Sequence, residues 1–153
     1  GVEVAPSWDV LDVFNWQAFD RFDLNAGYTY EQAVFQGGVY DGNEIPFVPE
    51  HQIFAGVALG FWGHYGFSLT GRYIGSSYPV NDQANAKPKA KPITVFDAQL
   101  SYETMVNNWD LEVFGRIENI LDEEYNSYEI EGSNRAIYPA PGREFLLGAK
   151  LKF

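Results

Sequence analysis

The sequence predicts an all-β fold, an antiparallel up-and-down sheet forming a segment of a transmembrane β-barrel. Three observations predict it. Apolar residues recur at every second position in about seven stretches, the period of a strand with two unlike faces. The connections between these stretches alternate between short and long. Aromatic side chains gather at two heights along the strands, with small and aliphatic residues between them.

The first stretch places Val2, Val4, Pro6 and Trp8 opposite Glu3, Ala5 and Ser7. The connection near residues 10–20 holds Phe14, Trp16 and Phe19. Then Phe22, Leu24, Ala26, Tyr28 and Tyr30 alternate with Asp23, Asn25, Gly27 and Thr29. A third stretch sets Ile53, Ala55, Val57, Leu59 and Phe61 against Gln52, Phe54, Gly56, Ala58 and Gly60. The next two run Phe67, Leu69, Gly71, Tyr73 and Phe96, Ala98, Leu100, Tyr102, with Ser, Thr, Arg, Asp, Gln and Glu between. Trp109, Leu111, Val113, Gly115 and Ile117 form a sixth. Phe145, Leu147, Ala149, Leu151 and Phe153 form the last. No stretch carries a helical stripe.

"WGHY" (62–65) and "TMVNN" (104–108) are short connections. Residues 36–46, 75–92 and 122–141 are long ones, rich in Gly, Pro, Asn and charge. A sheet with turns at one end and long loops at the other is the habit of outer-membrane barrels.

Composition narrows the function. The chain has 153 residues, enough for one domain, and a net charge of -11. So acidic a surface disfavours nucleic acid, whose phosphates require basic contacts. Cysteine is absent, which removes disulfides and thiolate metal sites. No run approaches the roughly 18 apolar residues of a membrane helix. "GVEVAPSW" lacks the basic and apolar regions of a signal peptide, and is expected to be the middle of something longer.

Alternation alone does not say which face meets the apolar phase. The polar face mixes Arg, Asp, Glu, Gln, Ser and Gly, as a wet lumen does. All four Trp fall at the short-turn end, with Phe61, Tyr65, Phe67, Tyr102 and Phe153. Tyr28, Tyr30, Tyr73, Tyr78, Phe96, Tyr125 and Phe145 fall at the long-loop end. Two aromatic belts around an aliphatic band match the two interfaces of a bilayer. The competing reading is a soluble β-sandwich or lipocalin-like barrel with its aromatics inside and a small apolar ligand.

Three stretches go further. "GNEIPFVPEHQIFAGVAL" (42–59), "FGRIENILDEEYNS" (114–127) and "YPAPGREFLLGAKLKF" (138–153) resemble, in order and spacing, the late barrel strands of TonB-dependent receptors. The pattern of Gly148, Leu151 and Phe153 resembles the C-terminal signal read by the barrel-assembly machinery. Leu146, two before the glycine, departs from the usual polar residue. The resemblance implies a barrel of about 22 strands with a plug in its lumen. It also implies energised import of a scarce ligand, a ferric siderophore or similar metal complex, across the outer membrane of a Gram-negative bacterium. About seven strands cannot close such a barrel, and no plug is recognisable in these residues. The expectation is therefore the C-terminal part of a receptor, multi-pass, with its C-terminus periplasmic. The expected partners are the rest of the barrel and plug, the TonB system acting through that plug, outer-membrane lipid and lipopolysaccharide. A passive porin-like or structural barrel is the alternative.

Candidate residues follow from the same frame. Arg72, Asp97, Gln99, Arg116 and Glu118 are expected to face the lumen on adjacent strands, where opposite charges pair across the wall or hold the plug. Ligand contacts are expected from the loop tyrosines Tyr40, Tyr78, Tyr128 and Tyr138. Lys87, Lys89 and Lys91 form a basic loop that could attract an anionic ligand or lipopolysaccharide phosphates, or simply remain solvated. Asp122, Glu123 and Glu124 read as a solvated acidic turn, with Ca2+ binding the sharper alternative. His51 and His64 fall at opposite ends and cannot share a metal; His51 as a haem ligand competes with a plain loop-closing role. Two distant histidines assemble no Ser/His/Asp set, and Glu112 and Glu118 are ordinary lumen charges. No enzyme, cofactor or metal site is expected.

Overall fold

The computed structural model describes residues 1–14, 16–130 and 136–153. Among these residues ten strands form: β1 (Val2–Val4), β2 (Ser7–Asp9), β3 (Arg21–Tyr30), β4 (His51–Phe61), β5 (Tyr65–Ile74), β6 (Ile93–Val106), β7 (Trp109–Glu118), β8 (Asn126–Ile130), β9 (Ala136–Pro139) and β10 (Glu144–Lys152). Val10–Asp12 makes one 3-10 turn, capped by the Asp9 carboxylate, which accepts from the Leu11 N–H at 3.0 Å.

All pairing in the main sheet is antiparallel, in the order β1/β2, β3, β4, β5, β6, β7, β10. β1 and β2 share one register on β3: Val4 pairs with Tyr28 and Ser7 with Asn25. They are one strand interrupted at Pro6, which has no N–H to give the ladder. The Pro6 carbonyl still accepts from the Ala26 N–H at 3.0 Å. The sheet therefore has the seven strand positions the alternation predicts. Its two outer strands, β1/β2 and β10, each pair on one side only among the described residues.

The register makes both faces continuous. On one face Trp8, Leu24, Val57, Leu69, Ala98, Ile117 and Phe145 lie side by side across the sheet. On the other, Asp23, Ala58, Ser68, Gln99 and Arg116 do. The apolar face has no core of its own. Leu147 is 86% exposed and Phe145 73%, and among the described residues only Val10 and Val95 are buried hydrophobic side chains. A soluble barrel would bury this face; here it is a continuous uncovered apolar surface, the kind that meets lipid in a membrane barrel.

The belts are visible as ring contacts. Trp8, Phe14, Trp16, Phe19 and Phe22 pack in a chain at the short-turn end, with centroids 5.5–6.4 Å apart. Phe61 stacks on Tyr65 at 5.7 Å and Tyr65 tilts on Tyr102 at 5.0 Å. At the far end Tyr28 and Tyr30 flank His51.

Two connections differ from expectation. The turn expected over 104–108 shrinks to Asn107 and Asn108, and β6 runs on to Val106. Both asparagines adopt positive φ, 49° and 71°, as a two-residue hairpin turn whose twist matches its strands requires. The long connection after β7 carries its own hairpin, β8–β9, with Tyr128 opposite Tyr138. Its strands are too short to show a period in the sequence.

Candidate functional site

The five expected lumen residues all lie on the polar face. Gln99 stands directly opposite Arg116 on the β6–β7 ladder. Arg116 Nε lies 3.1 Å from Glu118 Oε1, its neighbour two residues along the same strand. Asp97 Oδ1 accepts the Asn119 backbone N–H at 2.8 Å. Four of the five thus form one group. Arg72 stands apart, opposite Phe54 on β4 and Val95 on β6. The expected pairing of opposite charges across strands is corrected within this group, because Arg116 and Glu118 pair along one strand. The cross-strand pair is elsewhere: Lys150 Nζ on β10 meets Glu112 Oε2 on β7 at 2.9 Å. Directly opposed residues place their Cβ atoms close enough for a long amine to span.

At the end of β7 an unexpected residue organises the connection. Asn119 is 4% exposed and adopts φ 51°. Its amide donates to the Glu123 carbonyl at 2.9 Å and its oxygen accepts the Glu123 N–H at 2.8 Å. Asp122 Oδ1 accepts the Arg143 N–H at 2.8 Å, and Arg143 Nε donates to the Ile120 carbonyl at 3.0 Å. Asp122 therefore fixes a turn. The segment from β7 to β10 is pinned at both ends by its own side chains. The sequence signal was an Asx residue at a strand end, which tolerates left-handed backbone.

The three long loops meet over the polar face. Phe47 N–H donates to the Tyr78 carbonyl at 2.8 Å, and the Phe47 ring meets Tyr128 edge-on at 5.1 Å. Val80 bridges to Ile130, its N–H donating to the Glu129 carbonyl at 3.0 Å. Asn85 pairs with the Glu44 backbone as a strand residue would. It accepts the N–H at 2.7 Å and donates to the C=O at 3.0 Å. Asp82, 6% exposed, accepts the Ala86 and Lys87 N–H groups at 3.0 Å each. Lys89 Nζ lies 2.6 Å from Glu44 Oε2 and 5.1 Å from the centre of the Tyr78 ring. The hydrogen bond to Glu44 holds the Lys89 ammonium above its ordinary value of 10.5, against a smaller lowering by burial. Asn85 was not distinguishable in the sequence from other polar loop residues, since its Glu44 partner lies 41 residues away.

Beneath these loops is a cavity of about 730 Å³. Arg72 and Gln52 rise into its lining from the polar face, and Phe47, Tyr78, Lys89 and Glu124 come from the loops. Of the four expected ligand tyrosines, Tyr78 lines it. Tyr128 and Tyr138 pack on each other at 6.0 Å, and Tyr128 braces Phe47. Tyr40 lies elsewhere, packed on Phe35 in the 33–45 hairpin.

The remaining candidates are distributed along the sheet. His51 Nδ1 lies 3.0 Å from the Tyr28 hydroxyl at the long-loop end. His64 Nδ1 lies 3.0 Å from the Glu103 carbonyl beside the short turn. Gly148 is where Phe114 covers the neighbouring strand; a Cβ there would sit 2.4 Å from Phe114 Cζ. Leu151 faces Leu111, and the Phe153 ring lies 5.9 Å from Trp109.

An outward apolar wall, two aromatic belts and a polar face capped by interlocked loops define a segment of an outer-membrane β-barrel. The chain belongs to the TonB dependent receptor-like β-barrel family, whose model matches residues 1–120. Its fold is similar to two solved structures. One is the ferric citrate transporter FecA in its unliganded form, at 21% identity and TM-score 0.78, covering 97% of this chain and 23% of that one. The other is the ferric-catecholate import receptor Fiu from E. coli K12 in a closed form. That match has 25% identity and TM-score 0.74, and covers 99% of this chain and 20% of Fiu. The chain thus spans about a quarter or less of the length of these relatives.

Proposed function

We propose that this chain is the C-terminal part of the barrel wall of an energised importer in the outer membrane of a Gram-negative bacterium. Its cargo is a scarce ligand, a ferric siderophore or similar metal complex. The observation that carries the proposal is the cavity between the polar face and the three interlocked loops, at the mouth where an external ligand would arrive. Loops interlocked over the entrance suit an importer that encloses its ligand better than an open passive channel. The iron-complex receptors FecA and Fiu, whose wall this fold matches, support the choice of cargo.

In this reading Gln99, Arg116, Glu118 and Asp97 face the lumen and meet a plug carried by the rest of the receptor. The apolar face meets lipid and lipopolysaccharide chains. The short turns and Phe153 lie on the periplasmic side, with Gly148, Leu151 and Phe153 read by the barrel-assembly machinery. The TonB system acts through the plug. Tyr78 contacts the ligand directly, while Tyr128 and Tyr138 support the loops.

The test is uptake of labelled ferric complexes by cells carrying the intact receptor, with and without the proton-motive force. Accumulation that stops when the force is collapsed supports the importer. Accumulation that continues unchanged means a passive channel, and none from any iron complex removes the assigned cargo.

A further inference from the structure

The charges around the loop cavity are sorted by wall. β5 and the 75–92 loop supply Arg72, Lys89 and Lys91, and the segment after β7 supplies Glu123 and Glu124. Lys89 is already committed to Glu44. Arg72, Lys91, Glu123 and Glu124 have no ion-pair partner among the described residues, although all four line the same 730 Å³ space. Opposite charges that share a cavity and stay unpaired are held apart by the strands and loops that carry them. The Asn119, Asp122 and Arg143 bonds fix the acidic wall, and the Glu44–Lys89 and Asn85–Glu44 bonds fix the basic one.

We propose that this cavity selects a zwitterionic metal complex, one bearing both a carboxylate and an ammonium group at its periphery. Arg72 and Lys91 receive the carboxylate. Arg72 is suited to it because a guanidinium presents a planar fork of donors. Glu124, with Glu123 beside it, receives the ammonium. Phe47 and Tyr78 give the apolar body of the ligand a surface between the two walls. A complex with a single charge would satisfy one wall and leave the other without a partner, so the sorted charges disfavour it against the zwitterion. The inference rests on the importer reading and specifies its cargo.

The experiment uses the intact receptor in mild detergent, with four ferric trihydroxamate complexes that differ only in their end groups. One carries an ammonium and a carboxylate, one the ammonium alone, one the carboxylate alone, and one neither. Affinity is read from quenching of intrinsic fluorescence. The zwitterionic complex is expected to bind about tenfold tighter than either singly charged one, the scale of one well-placed charge contact. Arg72→Gln and Lys91→Gln should weaken only the carboxylate-bearing complexes, and Glu124→Gln only the ammonium-bearing ones. Arg72→Lys, which keeps the charge, should retain most of the preference. Equal binding of all four complexes, or a preference untouched by the glutamine variants, overturns the inference and leaves the importer standing. Binding of none also overturns the inference, and the importer is then judged by the uptake assay alone.

Discussion

The backbone N–H of Asn119 donates to Asp97 Oδ1 at 2.8 Å, so the residue that follows β7 is held by a carboxylate of the neighbouring β6. Two more bonds from the Asn119 side chain close the turn behind it. Asn119→Ala removes these side-chain bonds, takes from the Glu123 backbone N–H and C=O their Asn119 partners, and places a Cβ-only residue at positive φ. The expected loss is about 2–4 kcal/mol. It should appear as a lower temperature for loss of the compact, heat-modifiable band of the intact receptor in gel electrophoresis. An unchanged transition would mean the Asn119 bonds are not needed to hold the turn.

Leu69 lies midway along β5, between Val57 and Ala98 on the apolar face. An arginine there must sit in hydrocarbon or bend the bilayer to reach water. Leu69→Arg is expected to cost about 2–4 kcal/mol at this depth, whereas Ser68→Arg, one position along on the polar face, should cost far less. Denaturant titration of the receptor refolded into lipid vesicles measures both. Equal costs would show that the two faces do not differ in solvent.

The Lys89–Glu44 pair joins two loops, and its pH dependence has a definite sign. The ammonium is held above its ordinary 10.5, so the stabilisation is complete below that value. It is lost as pH rises through the elevated one. Both side chains are about 30% exposed, so the pair contributes modestly, about 0.2–1 kcal/mol. Hydrogen exchange at the Glu44 amide, which Asn85 protects, should be constant across neutral pH after correction for intrinsic rate. Protection should fall above pH 10.5. Lys89→Gln should show the weakened protection at neutral pH already. Identical protection in the variant would mean Asn85 alone holds the loop.

The strands were legible because one face of each is apolar and the other is not. A slip of one residue would exchange the faces, so which residues share the face of Asp23 and Arg116 is implicit in the alternation, while the particular cross-strand partners are not. The first strand read as one stretch from Val2 to Trp8; its split at Pro6, which cannot donate to the ladder, appeared only in the structure. The belts were readable because Trp and Tyr recur at fixed distances from the turns. Tyr128 and Tyr138 were expected as ligand residues from their place in a long loop; that they face each other across one hairpin was visible only in the structure.

By itself the sequence determined what depends on neighbours along the chain: the period of two, the unequal connections, the aromatic heights and the membrane they imply. The tertiary structure alone decided what depends on residues far apart. Glu44 meets Lys89 across 45 residues, Asn119 meets Asp97 across 22, and Arg72 shares a cavity with Glu124. Such pairs have no period and no spacing rule. They exist because the strands bring the three loops to one end of the sheet, where hydrogen bonds fix which side chains face each other.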